Sequence, residues 1–279
     1  MSYKMVCIDM DGTLLGKRKS ISEESKKVIK EVANKGVQVV ITTGRLYNNA
    51  AYYSELVGAS AAVIAGNGAV VREKRSSDII FKSKINENTC KKLLKIADKC
   101  GVVLHLHTID KIITNSYISN LITRIVIPGI KNKDFSIGVE TIKREEKWSE
   151  ELNKYKGEIT KCIMFSIFPE RTEMFRKELD NIDDIVYYSS GNRSIEINAH
   201  GVSKGNGVKI LAEHYGIKRE EIICIGDNEN DISMIEYAGL GIAMGNAIDK
   251  LKEKANYITD TNVNDGVRKA LEKFILNTR

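Results

Sequence analysis

Proline is nearly missing from this chain, with two among 279 residues. That excludes a collagen-like protein or a stiff Pro-rich linker. Cysteine is sparse and scattered: Cys7, Cys90, Cys100, Cys162 and Cys224 form no C-x-x-C pair and are odd in number. A disulfide framework and a zinc knuckle are therefore not expected, and a reducing compartment fits best. Cys7 and Cys224 sit inside apolar runs, where cysteine acts as a small hydrophobe. No apolar run approaches the ~20 residues that span a bilayer. The first residues, Met1 to Asp11, are a short apolar run broken by two acids, without the layout of a signal peptide. A cytoplasmic protein without membrane association is expected. Neither charge sign dominates: 43 Lys and Arg face 37 Asp and Glu, a net charge of +6 spread over many short lysine clusters. Nucleic acid binding would need a denser basic patch, so none is expected. What is present is an ordinary apolar share of 42%, enough for packed cores and incompatible with a wholly disordered chain. The length suggests about two domains.

Short, continuously apolar runs alternate with helix-period segments. Met5–Asp9, Val37–Thr42 and Ala61–Ala65 read as buried strands of a parallel sheet, because they do not alternate between apolar and polar. Ser22 to Lys35 reads as a helix between the first two strands. Ser22 is its N-cap, Glu23 and Glu24 suit the positive end of its dipole, Val28, Ile29 and Val32 form its apolar face, and Gly36 ends it. The C-terminal part repeats the style. A helix over Lys204–Tyr215 is followed by a strand at Glu221–Gly226, a short helix at Asp231–Ala238, strands at Gly239–Met244 and Tyr257–Thr259, and a closing helix at Val267–Leu276. Both ends of the chain thus belong to one doubly wound α/β sheet.

The middle differs. A helix is expected at Asn88–Cys100, strands at Val102–His107, Lys111–Thr114 and Cys162–Phe168, a helix at Glu170–Leu179, and strands at Ile185–Tyr188 and Ser194–Asn198. This pattern suggests an antiparallel α+β module inserted into the α/β domain. The expected division is a core of residues 1–83 and 191–279 with an insert at 84–190.

Four short motifs carry chemistry. Asp9-Met10-Asp11-Gly12-Thr13-Leu14 follows the first strand, and in open α/β sheets ligands bind beyond the carboxyl ends of strands. Two acids so close repel each other, raising each pKa unless a cation sits there, and a hard divalent ion such as Mg²⁺ answers that need. Asp227-Asn228-Glu229-Asn230-Asp231 is a second acidic cluster at an equivalent strand end; Asp231 alone could be a helix cap, but Asp227 lies too early for one. Thr42-Thr43-Gly44-Arg45 ends the second strand as a weak anion-site candidate. Gly201-Val-Ser-Lys204-Gly205-Asn206-Gly207 puts a lysine among glycines at a helix start, where it can reach a phosphate.

In this order, the Asp-x-Asp-Gly-Thr, Thr-Gly-Arg, loop Lys and Gly-Asp-x-x-Asn-Asp motifs resemble the haloacid dehalogenase-like (HAD) phosphohydrolase superfamily. The chain is most similar to the Cof-type subfamily, whose α/β cap is inserted between the second and third motifs. Asn67-Gly68-Ala69 is also similar to that subfamily. The resemblance spans the whole chain. It implies a Mg²⁺-dependent phosphatase acting on small phosphorylated metabolites, sugar phosphates first, as a monomer or weak dimer. It implies Asp9 as the nucleophile that becomes an aspartyl phosphate, and Asp11 as the acid and base for leaving group and water. Asp9 and Asp227 would hold Mg²⁺ together with the backbone carbonyl of Asp11, with Asn228 close by through water. Met10, Thr43 and Gly44 would bind phosphate oxygens, joined by Asn230. Lys204 would neutralise nucleophile and phosphoryl group, and Asp231 would orient Lys204. An acid rather than Thr at position 11 suits ester hydrolysis. The other functions compatible with the motifs are a sugar phosphomutase or a dedicated sugar-phosphate phosphatase of the same superfamily, a phosphoacceptor signalling protein and a non-catalytic metabolite sensor.

Three features stand outside that scheme. His105 and His107 share one face of an inserted strand, as a surface or substrate-facing pair rather than a metal site. Trp148 is expected to anchor a helix on the insert. Gly239 to Gly245 lacks G-x-G-x-x-G spacing and is expected to press close to the active site.

Overall fold

The computed structural model of the chain describes residues 3–74, 76, 78–126, 135–142, 145–189 and 192–277. Its described strands are β1 (Met5–Ile8), β2 (Gln38–Ile41), β3 (Val63–Ala65), β4 (Val70–Arg72), β5 (Ile79–Lys82), β6 (Val103–His107), β7 (Lys111–Thr114), β8 (Gly138–Thr141), β9 (Lys161–Phe165), β10 (Ile185–Ser189), β11 (Ser194–Ala199), β12 (Ile222–Gly226), β13 (Leu240–Ala243) and β14 (Tyr257–Ile258). Its described α-helices are α1 (Glu23–Asn34), α2 (Tyr47–Leu56), α3 (Glu87–Cys100), α4 (Tyr117–Val126), α5 (Glu145–Lys154), α6 (Pro169–Leu179), α7 (Lys204–Tyr215), α8 (Ile232–Tyr237), α9 (Asp249–Lys252) and α10 (Gly266–Leu271).

The chain divides into two compact units. One comprises Met1–Arg45, Ala50–Phe81 and Ser203–Arg279; the other comprises Leu46–Asn49 and Lys82–Val202. The first is built on a five-stranded sheet of order β14-β13-β12-β1-β2, parallel throughout. The chain winds from β1 outward to β2, then returns at β12 on the other side of β1. That reversal makes β1 the topological switch point of a doubly wound α/β fold, where open sheets bind their ligands. All four β1 residues are fully buried, which explains their continuously apolar sequence. The third strand joins through a single parallel bridge, Thr42 to Ile64, and then turns back as an antiparallel ribbon of β3, β4 and β5. The strand expected at 61–65 is thus present as β3, and β4 and β5 extend it.

Helices α1, α3 and α7 form where the sequence signals place them. Ser22 Oγ accepts from the Ser25 amide at 3.1 Å, capping α1, an arrangement worth about 1 kcal/mol. Gly36 follows it in the left-handed region at φ +86°. At α7, Ser203 Oγ accepts from the Asn206 amide at 3.1 Å. A Cβ on Gly205 would lie 2.3 Å from the Ser233 carbonyl oxygen, so only glycine lets α7 approach α8 this closely. The closing helix is shorter than expected. It stays α-helical to Leu271 and continues as a π-helical turn over Glu272–Leu276.

The second unit has a six-stranded sheet of order β10-β11-β9-β6-β7-β8, antiparallel except between β7 and β8. Leu104, Leu106, Cys162, Met164, Ile195 and Ile197 line one face and pack into a core with Leu93 of α3 and Phe175 of α6. The expected division at 190 needs moving. Ser194–Ala199 is hydrogen-bonded between β10 and β9 inside this sheet, so the unit runs to Val202. The side chain of Trp148 lies outside the described residues. Among the described residues, no helix is long and apolar enough to cross a membrane, and all five cysteines are free and buried.

Candidate active site

The carboxyl ends of β1 and β12 lie side by side because Ile8 pairs with Ile225. Asp9 follows β1, is 5% exposed, and its amide donates to the Ile225 carbonyl at 3.0 Å. Asp227 follows β12. A tight turn after Asp9 returns the chain: the Leu14 amide donates to the Asp9 carbonyl, and the Leu15 amide to that of Met10 at 2.8 Å. Thr13 Oγ1 then donates to Asp227 Oδ1 at 2.7 Å, tying the two acidic loops together. Gly12 has φ +84°, and a Cβ there would fall 2.3 Å from Asp227 Oδ2. Glycine in Asp-x-Asp-Gly is therefore required twice, by conformation and by space.

Lys204, at the start of α7, is 1% exposed. Its Nζ donates to Asp9 Oδ1 at 2.6 Å and to Asp231 Oδ1 at 2.5 Å. Asp231, fully buried, turns its other oxygen to the amides of Asp227 and Asn228, each at 3.0 Å. Burial alone would lower the Lys204 pKa, but Asp231 and Asp9 outweigh it and hold the ammonium charged. Burial, with the neighbouring charges of Asp231 and Asp227, pushes Asp9 well above the carboxylate range despite Lys204. Burial likewise raises Asp227 to about 6, against the lowering bond from Thr13.

Oxygens of Asp9, Asp227 and Asp231 all lie within 4.8 Å of one another. Three hard oxygen donors that repel each other fit a divalent cation such as Mg²⁺. Asp231 already accepts from Lys204 and two amides, so Asp9 and Asp227 are the better placed to turn toward one. Asn228 Oδ1 accepts from the Glu229 amide at 2.8 Å and caps the following turn.

Asp11 points elsewhere. Its side chain is 55% exposed and is gripped by Arg45, whose Nε and Nη2 donate to the two carboxylate oxygens at 2.6 and 2.5 Å. Burial pulls this carboxyl up, but the bonds and charge of Arg45 prevail and hold it below its ordinary value. Arg45 in turn lies 5.3 Å from the Tyr53 ring centroid.

Thr43 and Gly44 follow β2. Thr43 donates its amide to Ile64, and its Oγ1 accepts from the Arg45 amide at 3.1 Å. The Asn67 amide donates to the Thr43 carbonyl, and Asn67 Oδ1 accepts from Asn230 Nδ2 at 3.0 Å. Asn67 thus links the Thr-Gly and second acidic motifs, from a fully buried left-handed turn at φ 62°. The glycine-rich loop near 245 reaches the first motif through Asn246 Nδ2, which donates to the Gly12 carbonyl at 2.8 Å. Arg45 was legible only as the end of Thr-Gly-Arg, and Asn67 only as part of Asn-Gly-Ala.

His105 and His107 do share a face, with ring centroids 6.1 Å apart. Both are 5% exposed rather than at the surface.

The haloacid dehalogenase-like hydrolase family profile matches residues 6–271. The chain is 31% identical over 277 residues to 5-amino-6-(5-phospho-D-ribitylamino)uracil phosphatase YcsE of Bacillus subtilis, covering 99% of this chain and 97% of that protein. Among solved structures, a haloacid dehalogenase-like hydrolase from B. subtilis is 27% identical with a TM-score of 0.83, covering 98% of this chain and 100% of that one. The HAD subclass IIB sugar phosphatase BT4131 is 25% identical with a TM-score of 0.80, covering 97% of this chain and 98% of that one. With one family profile running from Val6 to Leu271, the chain belongs to the haloacid dehalogenase-like hydrolases, in their Cof-type branch, and is a phosphatase.

Proposed function

We propose that this phosphatase is Mg²⁺-dependent, removes phosphate from small phosphorylated metabolites, sugar phosphates first among them, and works through an aspartyl phosphate on Asp9. The observation that carries the proposal is the buried Asp9–Lys204–Asp231 chain beside Asp227. Mg²⁺, held by Asp9 and Asp227 with the Asp11 carbonyl, would supply charge neutralisation for the phosphoryl oxygens. The other steps fall to the chain's own groups.

Asp9 attacks phosphorus through a carboxylate oxygen while the ester P–O bond breaks, which splits one hard displacement into two easier ones. Lys204 favours the ionised form of Asp9 against its burial and faces the transferring group. Asp231 fixes Lys204, so its ammonium needs no reorganisation during the reaction. Asp11 gives its proton to the leaving oxygen and later takes one from the water that hydrolyses the aspartyl phosphate. To do so it must first release Arg45, because in that grip it is an unprotonated carboxylate. Met10, Thr43, Gly44 and Asn230 are assigned to the phosphate oxygens, with Asn67 positioning Asn230. The Lys82–Val202 unit is assigned to substrate choice, as the cap of this fold. The sugar-phosphate assignment leans on BT4131, and a phosphorylated ribityl compound, as YcsE's name states for that protein, stands beside it in the substrate panel.

Purified protein should hydrolyse p-nitrophenyl phosphate with Mg²⁺ and lose that activity in EDTA. Asp9→Asn should lower turnover by several orders of magnitude with the fold intact by circular dichroism. Substantial turnover in that variant overturns the nucleophile assignment. A panel of phosphorylated metabolites then ranks sugar phosphates against the rest by kcat/KM.

A further inference from the structure

The loop that leaves the first acidic motif carries charge that the phosphatase scheme does not use. Lys17, Arg18 and Lys19 are consecutive and all exposed. Among the described residues, no ion pair engages any of the three. Arg45, by contrast, is already bound to Asp11.

The backbone of this loop is held in place. The Gly16 amide donates to the Ser20 carbonyl at 2.9 Å and the Lys19 amide to the Gly16 carbonyl at 3.2 Å, closing a tight turn. Asn262 Nδ2 donates to the Leu15 carbonyl at 2.8 Å, and the Asn262 amide donates to Asn246 Oδ1 at 2.9 Å. Asn246 reaches the Gly12 carbonyl, so one pair of asparagines fixes the chain at Gly12 and again at Leu15. Within the turn, Arg18 at φ +55° and Lys19 at φ +58° are both left-handed. That conformation disfavours residues with a Cβ, whereas glycine takes it freely. Here two cations occupy it.

Position gives this charge a use. Against the raising effect of burial, the Asp11 carboxyl is lowered first by Arg45 and then by Lys19, which puts Lys19 within electrostatic reach of it. Asp11 is the group assigned to the leaving oxygen, so the turn borders the side from which the leaving group departs. A monophosphate ester brings its anion to Asp9 and Lys204 and leaves the three exposed cations without a counter-charge.

We propose that the Lys17–Lys19 turn is a second anion subsite, selecting small substrates whose leaving group bears a second phosphate. The inference rests on the phosphatase reading of Asp9 and Asp11 and names a substrate class for it. Three neighbouring cations suit a dianion, and because they are exposed their attraction is screened by salt.

The probes are propyl phosphate and propane-1,3-diol bisphosphate, which differ by one phosphate. Two equivalent phosphates give the bisphosphate a statistical advantage of about twofold in kcat/KM. At low salt, with Mg²⁺, the full chain should prefer the bisphosphate by at least about tenfold, falling toward twofold at high salt. Lys17→Gln/Arg18→Asn/Lys19→Asn, in which Asn tolerates the left-handed positions, should reduce the preference to about twofold at low salt as well. Lys19→Arg should keep the preference. So should Lys27→Ser/Lys35→Ser, which removes two exposed charges from α1 and its C-cap. Calorimetric titration of both compounds into full-length Asp9→Asn, with and without the triple substitution, reads the same preference without turnover. A wild-type preference of twofold or less, a preference that survives the triple substitution, or an equal loss in Lys27→Ser/Lys35→Ser overturns the proposal. Turnover of both compounds without preference leaves the phosphatase assignment standing alone. A calorimetric preference lost with the triple substitution, but no turnover by wild type, keeps the subsite and overturns the phosphatase assignment.

Discussion

Asp227→Asn separates the electrostatic cost of the acidic cluster from its use. Burial and the neighbouring charge of Asp231 lift Asp227 from an ordinary 3.8 to about 6. At 1.36 kcal/mol per pH unit, that rise amounts to about 3 kcal/mol at most. Because the folded-state value is raised, the associated stability is fully present below pH about 4 and lost as pH rises through about 6. In EDTA, the Asn variant should therefore gain on wild type between pH 4 and 7, by up to about 3 kcal/mol. The comparison must be a difference between the two proteins. Burial holds His105 at about 4 and His107 well below its ordinary value, and both pull wild-type stability the opposite way over the same window. Asn keeps an oxygen for Thr13, so the loop tie survives. Adding Mg²⁺ at neutral pH should reverse the order, since an ion at a thousand times its Kd stabilises wild type by about 4.1 kcal/mol. Urea unfolding across the pH series, with and without Mg²⁺, reads both effects. A stability difference that stays flat from pH 4 to 7, or equal Mg²⁺ stabilisation of both proteins, refutes the reasoning.

Other substitutions test neighbouring parts. Lys204→Met leaves Asp9 and Asp231 buried without their cation and should cost about 3–5 kcal/mol in urea unfolding, a loss that shrinks on acidification as the carboxyls take up protons. Arg45→Met frees the Asp11 carboxyl, whose pKa then rises; because Asp11 must be protonated to serve the leaving oxygen, the limb on which kcat/KM for p-nitrophenyl phosphate falls with rising pH should move to higher pH, and an unmoved limb excludes Asp11 from the proton transfers. His107→Phe removes a base whose folded-state pKa is depressed, a group that loses stability as pH falls below about 6.5. This variant should therefore keep more of its stability at pH 5 than wild type, as read by acid unfolding, and equal midpoints would show that His107 is not buried neutral.

The parallel core was legible because its strands are buried on both faces, which leaves long apolar runs such as Met5–Ile8 and Ile222–Ile225. Helix limits at Ser22 and Gly36 were legible because capping is local chemistry. The ribbon β4–β5 was not, because Val70–Arg72 spans only three residues and Ile79–Lys82 is partly exposed, so neither is a buried apolar run like β1. The edge of the insert was misplaced because Ser194–Ala199 alternates like any half-buried strand, and only its hydrogen bonds to β9 and β10 assign it to the second sheet. In the site, residue types and order pointed to the acids and the lysine. Their pairings are long-range, and sequence spacing does not encode them. The grip of Arg45 on Asp11, the bridge from Asn67 to Asn230, and the place of Asp231 within the carboxylate cluster all depend on how loops fold back over strand ends.

The separation of these partners along the chain also fixes when the site can exist. Asp9 meets Lys204 across 195 residues, and Thr13 meets Asp227 across 214. At a synthesis rate of about 5–20 residues per second, the N-terminal acids wait roughly ten to forty seconds on the ribosome before their partners emerge. During that interval β1 has β2 for a neighbour but not β12, and the whole Lys82–Val202 unit is already made. The nascent protein therefore passes through a stage with a complete insert and half a catalytic sheet, whose open β1 edge is the surface most in need of protection from other chains.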